Sequence, residues 1–333
     1  MLYYYWILVV LMVLVVADFT TRKQSIQHQV LETNIQELTP ESATSSSNSI
    51  FVVVCYNCTV VTDAEIIIFL ERLFSSASDP SGVFVGVCIV GIDKTPQLAD
   101  LFYETYENRK SWAYHIRETS LDIEVGAMVA RDLVIQKCYR GEKYLFSIGT
   151  NLEIQREWDK LLINNLQSVY PHHWSTHFFD WTGPMLPVGV DFKKNRLLPS
   201  TRLVRTKPSP ITRAYAATWG CLFTVASDLS LEIFQNSLPM TDSDQADFLL
   251  TAQLVAKGEN VFSGGESPVC KWSKEFLVPS LDTNSISLLR FTKSVLNALV
   301  HNQLLSPMPR FLGFFQGSDI EGMWRYFGKN TTV

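Results

Sequence analysis

From Ser49 onward the sequence alternates short, unbroken apolar runs with stretches long enough to be helices, and that rhythm leaves few architectures open. "IFVVVCY" (Ile50–Tyr56) and "GVFVGVCIV" (Gly82–Val90) are apolar almost throughout, as strands covered on both faces are. Between them, "TDAEIIIFLERLFSSA" reads as a helix capped by Thr62 or Asp63. A third, shorter strand is expected around His115–Asp122. A helix within "EVGAMVARDLVIQKCYRG" follows and stops near Gly141. Strand Tyr144–Ile148 and a helix in "REWDKLLINNLQSVY" complete the series. Such alternation implies a parallel sheet with helices on both faces.

The second half is less regular. "STHFFDW" and "TWGCLFTVAS" read as strands, and Phe192–Pro210 as a basic, proline-containing loop. "DSDQADFLLTAQLVAKG" reads as a helix with an acidic start and a glycine stop, a charge order that suits the helix dipole. The tail "SDIEGMWRYFGKN" closes with a short helix.

The N-terminus is of another kind. Leu2 to Ala17 carries no charge, is near the lower length limit for a membrane-spanning helix, and ends in small residues suited to signal-peptide cleavage. Residues 1–17 are therefore expected to be a signal anchor or signal peptide that brings the chain into the secretory pathway. Residues 18–49, polar and ending in "ESATSSSNS", are expected to be a flexible stem, and 50–333 the globular domain. Sequons at Asn57-Cys58-Thr59 and Asn330-Thr331-Thr332 agree with that route. A net charge of −5 and a pI near 5.7 give no basic field for nucleic acid. Six cysteines in 333 residues are too sparse for a disulfide scaffold. Cys55 and Cys58 have the C-x-x-C spacing without the second pair of a zinc site, and read as packed residues or a bridge.

A parallel sheet behind an anchor and stem is a frequent layout of Golgi glycosyltransferases, and ordered motifs narrow the resemblance. A strand and turn in "IFVVVCYNC" keeps Tyr56. "VFVGV" (Val83–Val87) follows, then "GAMVAR" with Gly126, Ala130 and Arg131. "YRGE" stands intact at Tyr139–Glu142, with Trp158-Asp159 beyond. "WGCLF" keeps Gly220 and Phe223, Gln245-Ala246-Asp247 falls where an acidic helix motif is expected, and "DIEGMWRYFGKN" closes the order. In this order the chain resembles glycosyltransferase family 60, whose members transfer GlcNAc to protein hydroxyls. The resemblance implies a GT-A-like α/β fold, with a mixed, mainly parallel sheet flanked by helices. It also implies a UDP-GlcNAc donor, a protein or glycoprotein acceptor, and a lumenal Golgi location. Its site positions correspond to Tyr56, Gly126, Arg131, Gly149 and Asn151 for donor binding and to Asp247 for the acceptor.

The same resemblance implies a divalent metal, Mn or Mg, held by an Asp-Ser-His strand end. Gly149-Thr150-Asn151 stands there instead, and Cys270 replaces a later histidine, so the ligands of that metal are lost. Arg131 with Lys271 or Lys274 offers positive charge in its place. Asp242 and Asp244 are either an acidic pair or helix caps. His172, His173 and His177 match a metal spacing only on a helix. An active enzyme and an inactive binding or scaffold protein of the same fold both remain open.

Overall fold

The computed structural model describes residues 48–91, 97–121, 127–150, 152–175, 177–178, 184–193, 196–203, 209–214, 217, 220–227, 250–251, 254, 259–266 and 269–272. All belong to the second of two units into which the chain divides, Ser46–Val333. Leu2–Ala17, residues 18–47 of the expected stem, the second sequon and the C-terminal tail lie outside the described residues, whereas Ser49, expected in the stem, is buried and accepts from the Lys143 and Tyr144 amides. Among the described residues, no helix is long and apolar enough to cross a membrane.

The apolar runs become the strands expected of them. β1 (Ile50–Asn57) pairs in parallel with β2 (Val83–Val90) on one side and with β4 (Tyr144–Ile148) on the other. β3 (Ile116–Leu121) extends the parallel set beyond β2. Past β4 the sheet becomes mixed. β11 (Cys221–Val225) runs antiparallel to β4 and to β6 (His173–Ser175), and β12 (Val261–Gly265) returns parallel to β6. With β10 (Ser209–Ala214) at the far edge, the order of the eight strands is β10-β12-β6-β11-β4-β1-β2-β3.

Helix α1 (Asp63–Ser76) starts where its sequence dictates. Thr62 accepts from the Glu65 amide while the Glu65 carboxylate accepts from the Thr62 amide, a reciprocal capping box. Ile66, Ile67, Phe69, Leu70, Leu73 and Phe74 bury one side of it against Ile50, Val52, Val54 and Tyr56 of β1. The alternate β1 residues face α3 (Ala127–Cys138) across the sheet. Gly86 marks how tightly that face is packed, since a Cβ there would meet both Phe51 and Val134 at 2.5 Å. Helix α4 (Trp158–Gln167) returns to the α1 face. Trp158 stacks on Phe146 and donates its indole N–H to the Leu73 carbonyl at 2.9 Å. The neighbouring Asp159, 5% exposed, accepts from both the backbone and hydroxyl of Ser78 and from the Asp79 amide.

"YRGE" is a latch between layers. Gly141 turns the chain at φ +98°, a conformation that costs a residue with a side chain. Tyr139 donates its hydroxyl to the Glu142 carbonyl, and the Arg140 amide donates to the Glu142 carboxylate. Arg117 of β3 donates to the other carboxylate oxygen at 2.6 Å and to the Cys138 carbonyl at 2.7 Å. The end of α3 is thereby tied to β3 and to the start of β4.

Two expectations are corrected, and one helix was not foreseen. Much of Phe192–Pro210 is strand rather than loop. β8 (Pro184–Lys193) and β9 (Arg196–Leu203) form an antiparallel hairpin, and β10 begins at Ser209. Pro199 is compatible with β9 because that strand is an edge of its sheet. "STHFFDW" is not one strand: β6 ends at Ser175 and β7 (His177–Phe178) pairs with β8 in a different sheet. Helix α2 (Leu98–Thr105), which precedes β3, had no counterpart in the sequence pattern. Two further short strands, β5 (Leu152–Ile154) and β13 (Val269–Trp272), pair with each other.

The latch predicts a measurable cost. Replacing Glu142 by Ala leaves the largely buried Arg117 guanidinium without its counter-ion, which should lower unfolding free energy by about 2–3 kcal/mol, somewhat less than a fully buried pair because Arg117 keeps some solvent. Glu142→Gln, which retains acceptors for the Arg140 amide, should lose less. Urea denaturation of the two variants checks the order.

Candidate functional site

The chain leaves β1 toward β2 and β3 on one side, and β4 then inserts on the other side of β1. Such a reversal splays the connections leaving β1 and β4 apart and opens a crevice beyond the carboxyl ends of the two strands. Its rim carries Tyr56, Asn57 and Cys58 from the β1 side and Gly149 and Thr150 from the β4 side. Gly149 donates its amide to the carbonyl of Gly220, just before β11. Asn57 folds its side chain back, accepting from the amide and hydroxyl of Thr59 at 2.9 and 2.7 Å.

Three of the residues expected in the site can be placed against this crevice. Tyr56 is at its base, 2% exposed, and its hydroxyl donates to Asp63 Oδ1 at 2.7 Å. Burial, followed by that bond and by the charges of Asp63, Cys58 and Glu118, raises the phenol well above its ordinary value. Arg131 sits near the start of α3, close enough to Cys55 for its charge to act on that thiol. Gly149 is on the β4 rim. Cys270 lies on β13, away from the eight-stranded sheet. Gly126, Asn151 and Asp247 lie outside the described residues, as do Asp242, Asp244 and Lys274.

Charge is divided across β1. On the α1 and α2 side, the charges of Asp100 and Asp63 act on Glu118. Glu118 reaches from β3 to accept from the Leu98 and Ala99 amides at 2.9 and 2.8 Å, so a side chain remote in sequence caps α2. Burial raises the Glu118 pKa, while those two amides pull it down. On the α3 side stands Arg131. Neither α1 nor α2 offers a free N-terminus to an anion. The Thr62–Glu65 box and two first-turn acids occupy one, and Glu118 occupies the other. A dinucleotide-type phosphate seat at the first helix, as in Rossmann folds, is therefore absent.

A divalent metal at the β4 edge does not fit the described residues. Gly149 has no side chain, and Thr150 brings a neutral hydroxyl whose Oγ1 is buried and without a partner among the described residues. Hard divalent cations take several oxygens, carboxylates above all. No group of three or more His, Cys, Asp or Glu among the described residues could hold a metal ion. The histidine cluster is not helical. His173 begins β6, fully buried, with Nδ1 at 2.7 Å from Thr224 Oγ1 and Nε2 against the Glu259 carboxylate. His172 stacks on Phe262.

The cysteines also resolve. Cys55, Cys58, Cys88, Cys138 and Cys221 are free thiols. Cys58 packs against the α1-side core, whereas Cys55 points to the α3 side, where Cys88 is its register partner. The C-x-x-C pair thus straddles the sheet and is not bridged. Burial pushes the Cys55 thiol up to about 12 despite the lowering charge of Arg131. Burial likewise lifts Cys138 to about 11, and Cys88 rises for the same reason.

No family model matches the chain, and no curated protein matches it. Among solved structures, S. aureus TarS is similar over 85% of this chain and 44% of its own, at 10% identity and a TM-score of 0.44. The chain thus spans less than half the length of TarS. A mannosyltransferase, PcManGT from Pyrobaculum calidifontis, solved in complex with GDP-Man and Mn2+, is similar over 84% of this chain and 72% of its own, at 11% identity and a TM-score of 0.44. At these values neither likeness carries a substrate, a metal or an activity over to this chain.

Sequence reasoning missed two carboxylates on the α1 side of β1. Asp63 was readable only as a helix-cap residue, though it stands seven positions after Tyr56 across a strand-to-helix turn. Glu118 gave no local signal, because its partners are about twenty residues earlier.

The thiols set a pH dependence. Their folded pKa values lie above the ordinary value near 9, so the protonated form is favoured on folding. Their contribution to stability is complete below pH 9 and is lost as pH rises toward 11–12. The urea midpoint should hold to about pH 8.5 and then fall, and a Cys55→Ala/Cys138→Ala variant should fall less steeply. At pH 8, Cys55, Cys88 and Cys138 should resist iodoacetamide until denaturant is added, as peptide mapping would show.

Proposed function

We propose that this protein is a glycosyltransferase-like protein whose β1/β4 crevice holds a nucleotide-sugar. The observation that carries the reading is the reversal of strand order at β1. It places Tyr56 at the base of the crevice and brings Arg131 to the α3 side of β1. A nucleotide needs an aromatic or polar seat for its nucleoside and positive charge for its diphosphate. The ordered motifs from Ile50 to Lys329 support the finer reading: a UDP-GlcNAc donor, a protein hydroxyl as acceptor, and a lumenal Golgi domain anchored by residues 1–17.

In that reaction the acceptor oxygen attacks C1 of the sugar and the C1–O bond to the diphosphate breaks, its electron pair leaving on UDP. Arg131 meets the charge that develops there. Tyr56 closes the base of the crevice beneath the nucleoside, and Asp247 positions the acceptor hydroxyl and takes its proton. A metal would supply Lewis-acid stabilisation of the same diphosphate, but the described residues at the β4 rim do not fit one.

The neutral β4 rim favours a second reading, that of a catalytically inactive protein of the same fold that binds or scaffolds in the lumen. The two readings part on turnover. With the full chain in detergent, UDP should raise the melting temperature by several degrees, equally with Mn2+ or with EDTA. Incubation with a panel of UDP-sugars and a protein acceptor should release UDP and label the acceptor. Stabilisation without release would identify the inactive binder. No stabilisation by any nucleotide or nucleotide-sugar would refute the nucleotide-sugar reading itself.

A further inference from the structure

Three strands of the large sheet end in the same direction, each with a serine turned to one face. β11 lies antiparallel between β4 and β6, and β12 is parallel to β6. β4, β6 and β12 therefore share their carboxyl edge, the edge on which the crevice opens. Phe146, Phe223, Trp174 and Phe262 pack in or against the core on the α1 and α4 side. The pleat turns their neighbours Ser147, Ser175 and Ser263 to the α3 side, all three fully buried. Leu222 of β11 registers with both Ser147 and Ser175, and Thr212 of β10 with Ser263, so the serines stand in one row across the sheet. Glycines mark the same edge: Gly149 follows β4, Gly220 precedes β11 and Gly264-Gly265 close β12. None of these four adds a side chain between the crevice and the row.

One member of the row is unanswered. Ser175 donates its hydroxyl to the Cys221 carbonyl at 2.9 Å. The Ser263 hydroxyl, on a residue 0% exposed, has no hydrogen-bond partner among the described residues. Such a group has given up water and gained nothing, so it costs stability until a partner enters. The chemistry of that partner follows from the row. It presents hydroxyls and no charge, and on the same face His173 is already bonded to Thr224 and Glu259. A diphosphate finds no cation in the row, whereas the ring hydroxyls of a saccharide, which both donate and accept, match serine hydroxyls. We propose that the carboxyl ends of β6 and β12 form a saccharide subsite in which Ser263 bonds a ring hydroxyl. This rests on the nucleotide-sugar reading above. Ser263 stands three strand spacings, about 14 Å, from Ser147 of β4, beyond the crevice that takes the nucleotide. The subsite takes a sugar ring there, either the hexose of the donor or a sugar carried by the acceptor.

The test reads stability and affinity together, on the full chain in detergent, for wild type, Ser263→Ala and Ser175→Ala. Without ligand, Ser263→Ala should melt a few degrees higher, because it removes an unanswered hydroxyl. Ser175→Ala, which breaks a bond already made, should melt lower. Calorimetry then compares UDP with UDP-GlcNAc, UDP-glucose and UDP-galactose, and measures lactose and chitobiose with UDP present. Ser263→Ala should weaken binding about three- to tenfold in the UDP-sugar arm for a donor hexose, or in the disaccharide arm for an acceptor sugar. A loss in either arm supports the subsite and names its source. A lower melting temperature for Ser263→Ala, an equal loss for UDP alone, or unchanged affinity in both arms would overturn the inference while leaving the nucleotide-sugar reading standing. Failure of wild type to bind UDP or any UDP-sugar would remove both.

Discussion

Strand β1 has to be covered on both faces, and the rest of the described fold is arranged around that requirement. Its eight residues run through the middle of the parallel set, with hydrogen-bonded neighbours on either edge. A strand so placed exposes no edge and no face, so each residue must find a packing partner. Ile50, Val52, Val54 and Tyr56 take α1 as theirs, and Phe51 meets Val134 of α3 where Gly86 leaves room. Once both layers are seated, the carboxyl end of β1 is the place where its backbone passes from sheet to loop, and the reversal of strand order opens the crevice there.

Several motifs that look chemical in the sequence turn out to hold these layers together. "YRGE" closes the end of α3 onto Arg117 of β3. The Trp158-Asp159 pair fastens α4 to the end of α1 and the turn after it, the indole through Leu73 and the carboxylate through Ser78 and Asp79. Buried Asp159 has its oxygens answered by backbone and hydroxyl donors, which is what keeps a charge tolerable in such a place. These motifs act on the site indirectly. By fixing both ends of the helical layers, they fix where Arg131 and Tyr56 stand relative to each other.

What was legible in the sequence was what local rules control. Unbroken apolar runs gave β1, β2 and β4, and a cap at Thr62 or Asp63 marked the start of α1 within a residue. What was hidden depended on distant partners. Helix α2 has only eight residues, and its cap comes from Glu118 across a gap of about twenty positions, so no window along the chain contains both. The β8–β9 hairpin carries lysines, arginines and prolines that read locally as loop. It is strand because β7 and β9 flank β8, and because an edge strand can leave a proline's missing N–H unanswered. The C-x-x-C spacing was ambiguous for a related reason: only the pleat of β1 and the turn after it decide that its two thiols lie on opposite sides of the sheet.

The division of charge across β1 bears on the missing acidic clamp. An Asp-Ser-His strand end at β4 would have put a carboxylate and, with a metal, a local positive centre on the crevice rim. Gly149 and Thr150 bring neither, and the charges that flank β1 are the carboxylates Asp63, Asp100 and Glu118 on one side and Arg131 on the other. Under the proposed nucleotide-sugar reading, a diphosphate in this crevice would be repelled from the α1 side and attracted to the α3 side. A metal-bridged diphosphate would be far less sensitive to that gradient, because the cation cancels most of its charge. In the proposed nucleotide-sugar reading, the charges on opposite faces of β1 would supply the orientation that a metal at the neutral β4 rim would otherwise give.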